Sequence, residues 1–124
     1  MDEPERRKHA RIDIRNLISH DSITRKGQVV SSNMGRALNV SRSGILLETA
    51  RPIDEEFVSI FAVDLENKLI ELKGRLIHCR KTQSGTYHAG IEFTGSEHEK
   101  AMFAVKLIKL FFHRKYKMRV QVAA

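Results

Sequence analysis

The sequence predicts an all-β core followed by one C-terminal helix. Three observations carry this reading. Apolar side chains recur at every second position in several stretches up to Phe93, the period that lays them on one face of a pleated strand. Turn-forming residues, Asn39 to Gly44 and Gln83-Ser84-Gly85, interrupt the alternation. After Ser96 the period lengthens to that of a helix.

Taken in order, the first strand carries Ile12, Ile14 and Ile18, the second lies around Arg36 to Val40, and the third holds Ile45 and Leu47. The fourth, from Phe57 to about Leu65, is apolar on both faces and should be covered on each, as a barrel wall is when a helix docks outside it. From Leu69 to Arg80, Ile70, Leu72 and Leu76 oppose Lys73 and Arg75, which marks a half-buried strand; Ala89, Ile91 and Phe93 point inward from a last strand over His88 to Phe93. The count is six. Residues 21–35 are polar and read as a long loop or a ragged hairpin, an insertion expected to alter the rim near the candidate site.

Ser96 and Glu99 have the spacing of a capping box, in which each side chain satisfies an orphan backbone N–H at a helix start. Met102, Val105, Ile108, Phe112 and Tyr116 follow one stripe, widened by Ala104, Leu107 and Phe111. So broad an apolar surface calls for packing on the barrel or on a second subunit, which makes a homodimer a candidate assembly. The expected organisation is an arginine-rich arm over 1–11, a barrel over 12–95, the helix over 96–118 and a tail over 119–124.

The chain has 124 residues, enough for one domain with a single core. Its only cysteine, Cys79, excludes an internal disulfide, and neither a basic start before an apolar run nor an apolar stretch long enough to span a bilayer is present. A cytoplasmic location is expected. The net charge of +7 is confined to the C-terminal segment: from Lys100 onward there are seven basic residues and no acidic one, and the preceding part is balanced.

Catalysis finds little support. The six histidines, His9, His20, His78, His88, His98 and His113, lack metal-ligand spacing, and no phosphate loop or nucleophile elbow is present, so no enzyme activity, metal or cofactor is expected. Two other segments carry recognition chemistry. Arg6, Arg7 and Arg11 precede the first strand, and a guanidinium fork can engage two phosphate oxygens, or O6 and N7 of guanine, in one bidentate contact. Arg7 and Arg11, four residues apart, fall on one side of a helical or an extended segment and can converge on one ligand. Asn39-Val40-Ser41-Arg42-Ser43-Gly44 joins two strands; Asn39 and Ser41 share a side of an extended chain and offer neutral donors and acceptors, while Gly44 permits close approach. Taken singly, the first segment is a solvated basic arm and the second a well-made turn.

As an ordered pair, Arg7-x-x-x-Arg11 and Asn39-x-Ser41-x-x-Gly44 resemble the two-part signature of PilZ domains, with Arg6 supplying the frequent doubled arginine. Gly74-Arg75-Leu76-Ile77 and Gly90-Ile91-Glu92-Phe93 resemble the long and closing strands of that family, so that the likeness spans Glu5 to Thr94. The resemblance implies a six-stranded antiparallel, Greek-key-like β-barrel that binds cyclic di-GMP, a bacterial second messenger. It implies Arg7 and Arg11 on guanine edges and phosphates, Asn39 and Ser41 in contact with the ligand, Gly44 making room, and Arg6 favouring an intercalated ligand pair. An output protein partner is implied as well, with motility and exopolysaccharide or biofilm formation as the usual outputs. Two rivals stand beside it. A nucleic-acid-binding barrel would rest on Lys106, Lys109, Lys115 and Lys117, and a protein- or membrane-docking module on Phe111, Phe112 and Tyr116.

Overall fold

The computed structural model describes residues 10–123, with side chains as far as Lys115. Six strands, β1 (Ile12–Ile23), β2 (Val29–Val40), β3 (Gly44–Thr49), β4 (Phe57–Val63), β5 (Leu69–Lys81) and β6 (Tyr87–Phe93), precede one helix, α1 (Glu97–Ala123). Every pairing is antiparallel, and the strands close a barrel in the order β1-β2-β3-β6-β5-β4. The alternation read from the sequence is the alternation of this wall. Ile14, Ile18, Ala37, Val40, Ile45, Leu47, Val58, Ile60, Ala89 and Ile91 fill the interior. Burying each of the larger ones contributes about 1.5–3 kcal/mol.

Residues 21–35 prove to be the far half of the β1–β2 hairpin. β1 runs on to Ile23, the Gly27 N–H donates to the Thr24 carbonyl at 2.8 Å, and β2 starts at Val29. The pattern concealed this because Val29 to Met34 are exposed at every position, so nothing alternates. The hairpin tip lies at the Ile23/Val29 end of the pair, whereas the Asn39 turn follows the Ile12/Val40 end. The expected alteration of the rim beside the candidate site therefore does not occur.

The barrel ends are closed by unlike parts. The β3–β4 connection, residues 50–56, crosses one end between strands that are not neighbours and buries Ile53 in the core. At the other, α1 contributes Phe103, Ala104, Leu107 and Leu110 to the same core. Phe103 meets Phe93 edge to face at 5.6 Å, and the Asn16 amide donates to the Leu107 carbonyl at 2.8 Å. The helix start is the expected capping box: Glu99 N–H donates to Ser96 Oγ at 3.1 Å and Ser96 N–H to Glu99 Oε1 at 2.9 Å. That bond from the Ser96 backbone lowers the Glu99 pKa. α1 continues to Ala123, past the end expected near 118.

One polar side chain inside the barrel lacks compensation. His20 is 2% exposed, and neither ring nitrogen has a hydrogen-bond partner among the described residues. Desolvation lowers its pKa from the usual 6.5, against a smaller opposing pull from Asp21. The fold therefore favours neutral imidazole, and as pH falls below that of free histidine the unfolded chain takes up a proton that the native barrel resists. Acidification through this window should lower the urea midpoint of unfolding, and His20→Met should show a smaller loss over the same interval.

Candidate ligand groove on the barrel wall

Pairing of Ile12 with Val40 and Asp13 with Asn39 sets the start of β1 beside the end of β2. Arg11, one residue earlier, thereby reaches Asn39: its Nη1 donates to Asn39 Oδ1 at 3.0 Å, joining the two segments across 28 positions of sequence. Arg6 and Arg7 lie outside the described residues.

The turn that follows is held by its own hydroxyl. Ser41 Oγ accepts from the Ser43 N–H at 3.1 Å and the Gly44 N–H at 3.3 Å, and the Ser41 N–H donates to the Gly44 carbonyl at 2.9 Å. Ser41 is only 4% exposed, so its oxygen stiffens the connection from within. Gly44 is dictated by the neighbouring strand. It pairs with Glu92, and a Cβ there would stand 2.4 Å from the Ile91 carbonyl oxygen.

Strand register then builds a surface that local sequence does not disclose. Across β2, β3, β6 and β5, Asn39, Leu46, Gly90 and His78 form one row; Arg36, Glu48, His88 and Arg80 form the next. The bulge between Leu76 and His78 in β5 turns His78 outward, and its ring settles so closely over Gly90 that a Cβ there would lie 2.7 Å from Nε2. Glu48 is engaged by Arg36 at 3.8 Å, by His88 at 3.7 Å and by the Thr86 hydroxyl at 3.1 Å.

Over these rows lies an open groove of about 740 Å³, lined by Arg11, Asp13, Asn39, Leu46, His78, Arg80, Lys81, Thr82 and His88. A smaller one of about 210 Å³ shares Arg11, Leu46 and His78 and reaches Ser43 and Gly44. The larger is within the ~300–1,000 Å³ typical of small-molecule sites. Its lining holds three permanent cations and two histidines against the single carboxylate of Asp13, a balance suited to an anion. Of the residues singled out from sequence, Arg11, Asn39 and Gly44 line one or both grooves, and Ser41 supports them from beneath. His78, His88, Arg80 and Lys81 were not foreseen as site residues. The basic end of a long strand before a turn was the only hint, since the β5–β6 register that gathers them depends on a bulge. Among the described residues no group of three or more His, Cys, Asp or Glu side chains is placed to hold a metal ion.

The PilZ domain family profile matches residues 5–110. The chain belongs to the PilZ domain family. Several solved structures share its fold. The PilZ domain of YcgR from Escherichia coli with c-di-GMP is 16% identical, with a TM-score of 0.59 over 95% of this chain and 98% of that one. The inhibitor of motility MotI (DgrA) of Bacillus subtilis is 14% identical with a TM-score of 0.60 over 91% of this chain, which spans about half (53%) of MotI. The MrkH–c-di-GMP complex of K. pneumonia gives 11%, 0.56 and 93%, again covering about half (55%) of the neighbour. No curated protein sequence matches the chain significantly.

Within this PilZ domain the glycine of the second motif is thus a barrel residue as well as a groove residue. Gly44→Ala should destabilise the fold by about 2 kcal/mol or more, because backbone must move to admit the methyl group. Ser41→Ala should cost about 1 kcal/mol through loss of the turn hydrogen bonds. Thermal unfolding of both variants without ligand checks the order.

Proposed function

We propose that this PilZ domain is a receptor for cyclic di-GMP that leaves the ligand chemically unchanged and passes its bound state to a partner protein. One observation carries the reading: the Arg11 to Asn39 hydrogen bond unites both signature segments at the edge of a cationic groove. The ligand is a dianion with two purines, and the groove offers a matching set of groups. Arg7 and Arg11 engage guanine edges and phosphates as bidentate forks, and Asn39 adds neutral hydrogen bonds. Leu46 and the His78 ring provide apolar and aromatic surface for a base, with Arg80 and Lys81 as further cations near the phosphates. Ser41 and Gly44 keep the turn in the shape that holds Asn39 in place, and Arg6 favours a second, intercalated ligand molecule.

The response to the ligand is assigned to the segment ahead of Arg11. Clamping the ligand orders the arm that carries Arg6 and Arg7 against the barrel wall, and two charged bidentate contacts at ~1–3 kcal/mol each offset the entropy lost by a short segment. The nucleic-acid reading is weakened by the fate of one of its lysines: Lys106 pairs with the buried carboxylate of Asp64 at 3.5 Å. No helix among the described residues is long and apolar enough to cross a membrane.

Isothermal titration with cyclic di-GMP, using GTP and cyclic di-AMP as controls, tests the assignment. Micromolar affinity is expected, about −8 kcal/mol. Arg7→Ala and Arg11→Ala should each weaken it by about ten-fold or more, and His78→Ala by several-fold. Unaltered affinity in both arginine variants would remove the clamp, and equal binding of all three nucleotides would remove the ligand assignment.

A further inference from the structure

α1 is apolar on two opposite sides, and the barrel accounts for only one of them. Phe103, Ala104, Leu107 and Leu110 are buried in the core, yet Met102, Val105 and Phe112 remain 41%, 41% and 52% exposed. At about 100° per residue these three, together with Lys109, fall in a sector roughly 80° wide that is centred opposite Leu107. Their spacing of three, four and three residues is that of a coiled-coil seam. The sequence pattern merges both faces into one broad apolar surface; burial separates them.

We propose that this outer seam packs on the same seam of a second copy, with the two helices antiparallel about a two-fold axis near Leu107. Met102 then meets Phe112 of the partner subunit, and Val105 packs along the methylene stem of the partner subunit's Lys109. Ile108, half-buried beside the seam, lies close to the two-fold axis. The barrels end up on the outside, one on each side of the helix pair, and the ligand grooves stay clear of the contact.

Charge selects this orientation. The acids of α1 are Glu97 and Glu99 in its first turn, and its remaining ionised side chains are basic. A parallel pair would set Lys109 against Lys109 and bring the two basic halves together. The antiparallel pair lays each helix start, where Glu99 adds to a Glu97 already paired with Lys100 at 2.9 Å, beside the partner's basic half, and the charge of Lys106 on the flank is already offset by Asp64 at 3.5 Å. A lipid surface fits less well. The stripe is narrower than the apolar sector of an interfacial helix, is interrupted by Lys109, and ends in an acidic turn that an anionic bilayer would repel.

Sedimentation equilibrium of the full chain over a concentration series should report a dimer of twice the 14.2 kDa chain mass. Val105→Lys, which opposes the partner subunit's Lys109 with like charge, should raise the dissociation constant about ten-fold or more while the helix and barrel stay folded by circular dichroism. Adding Lys109→Glu to that variant should restore the dimer, because each new lysine then faces a glutamate across the antiparallel seam. A monomer at every concentration overturns the proposal, and so does failure of the double variant to recover, since a parallel pair would oppose like charges at both positions. Binding of a monomeric chain to phosphatidylglycerol vesicles that is lost in Phe112→Ser also overturns it, in favour of a lipid surface.

Discussion

The architecture depends on how β1 divides its two edges. Along nearly its whole length one edge is hydrogen-bonded to β2, but the other is bonded to β4 only from Ser19 to Ile23. Over the earlier half the wall is completed by α1, fixed where Asn16 donates to the Leu107 carbonyl. A single strand thus closes the sheet, docks the helix and delivers Arg11, just ahead of its first residue, to Asn39. Shifting this strand by one position would turn its interior side chains to solvent and part the two halves of the binding signature together.

Division of labour follows from that arrangement. Both ends of the barrel are sealed by packed apolar groups, Ile53 at one and the α1 side chains at the other, so no ligand is expected inside. What remains is the wall, where β2, β3, β6 and β5 present polar side chains over a frame held by inward-facing aliphatic residues. Such a frame has little freedom to deform. Under the proposed function, ligand occupancy is therefore read at the surface of this frame, where no core contact has to break.

How much of this was legible depended on whether the information was local. β5, β6 and the first half of β1 alternate apolar and polar residues, Ile45 and Leu47 mark β3, and the Ser96/Glu99 box announces α1, so these parts were readable, whereas the polar end of β1 read as loop. β2 was half lost because Val29 to Met34 extend beyond the enclosed core, where no face is selected. For the site, Arg11 and Asn39 were recognised as types and were indeed brought together. Ser41 and Gly44 were recognised too, though the work of the serine oxygen inside the turn needed coordinates. His78 and Arg80 could not be found, because their placement follows from a β5–β6 register that a bulge resets within one residue.

The close approach of His78 to Gly90 makes groove depth adjustable from below. The atom that a side chain at 90 would strike is the far end of an imidazole, which can tilt, and not a fixed carbonyl as at Gly44. A methyl group at 90 would therefore lever the ring outward and leave a shallower channel, with the barrel and both signature segments intact. Positions 78 and 90 on neighbouring strands are in this way tied to one another by simple volume exclusion.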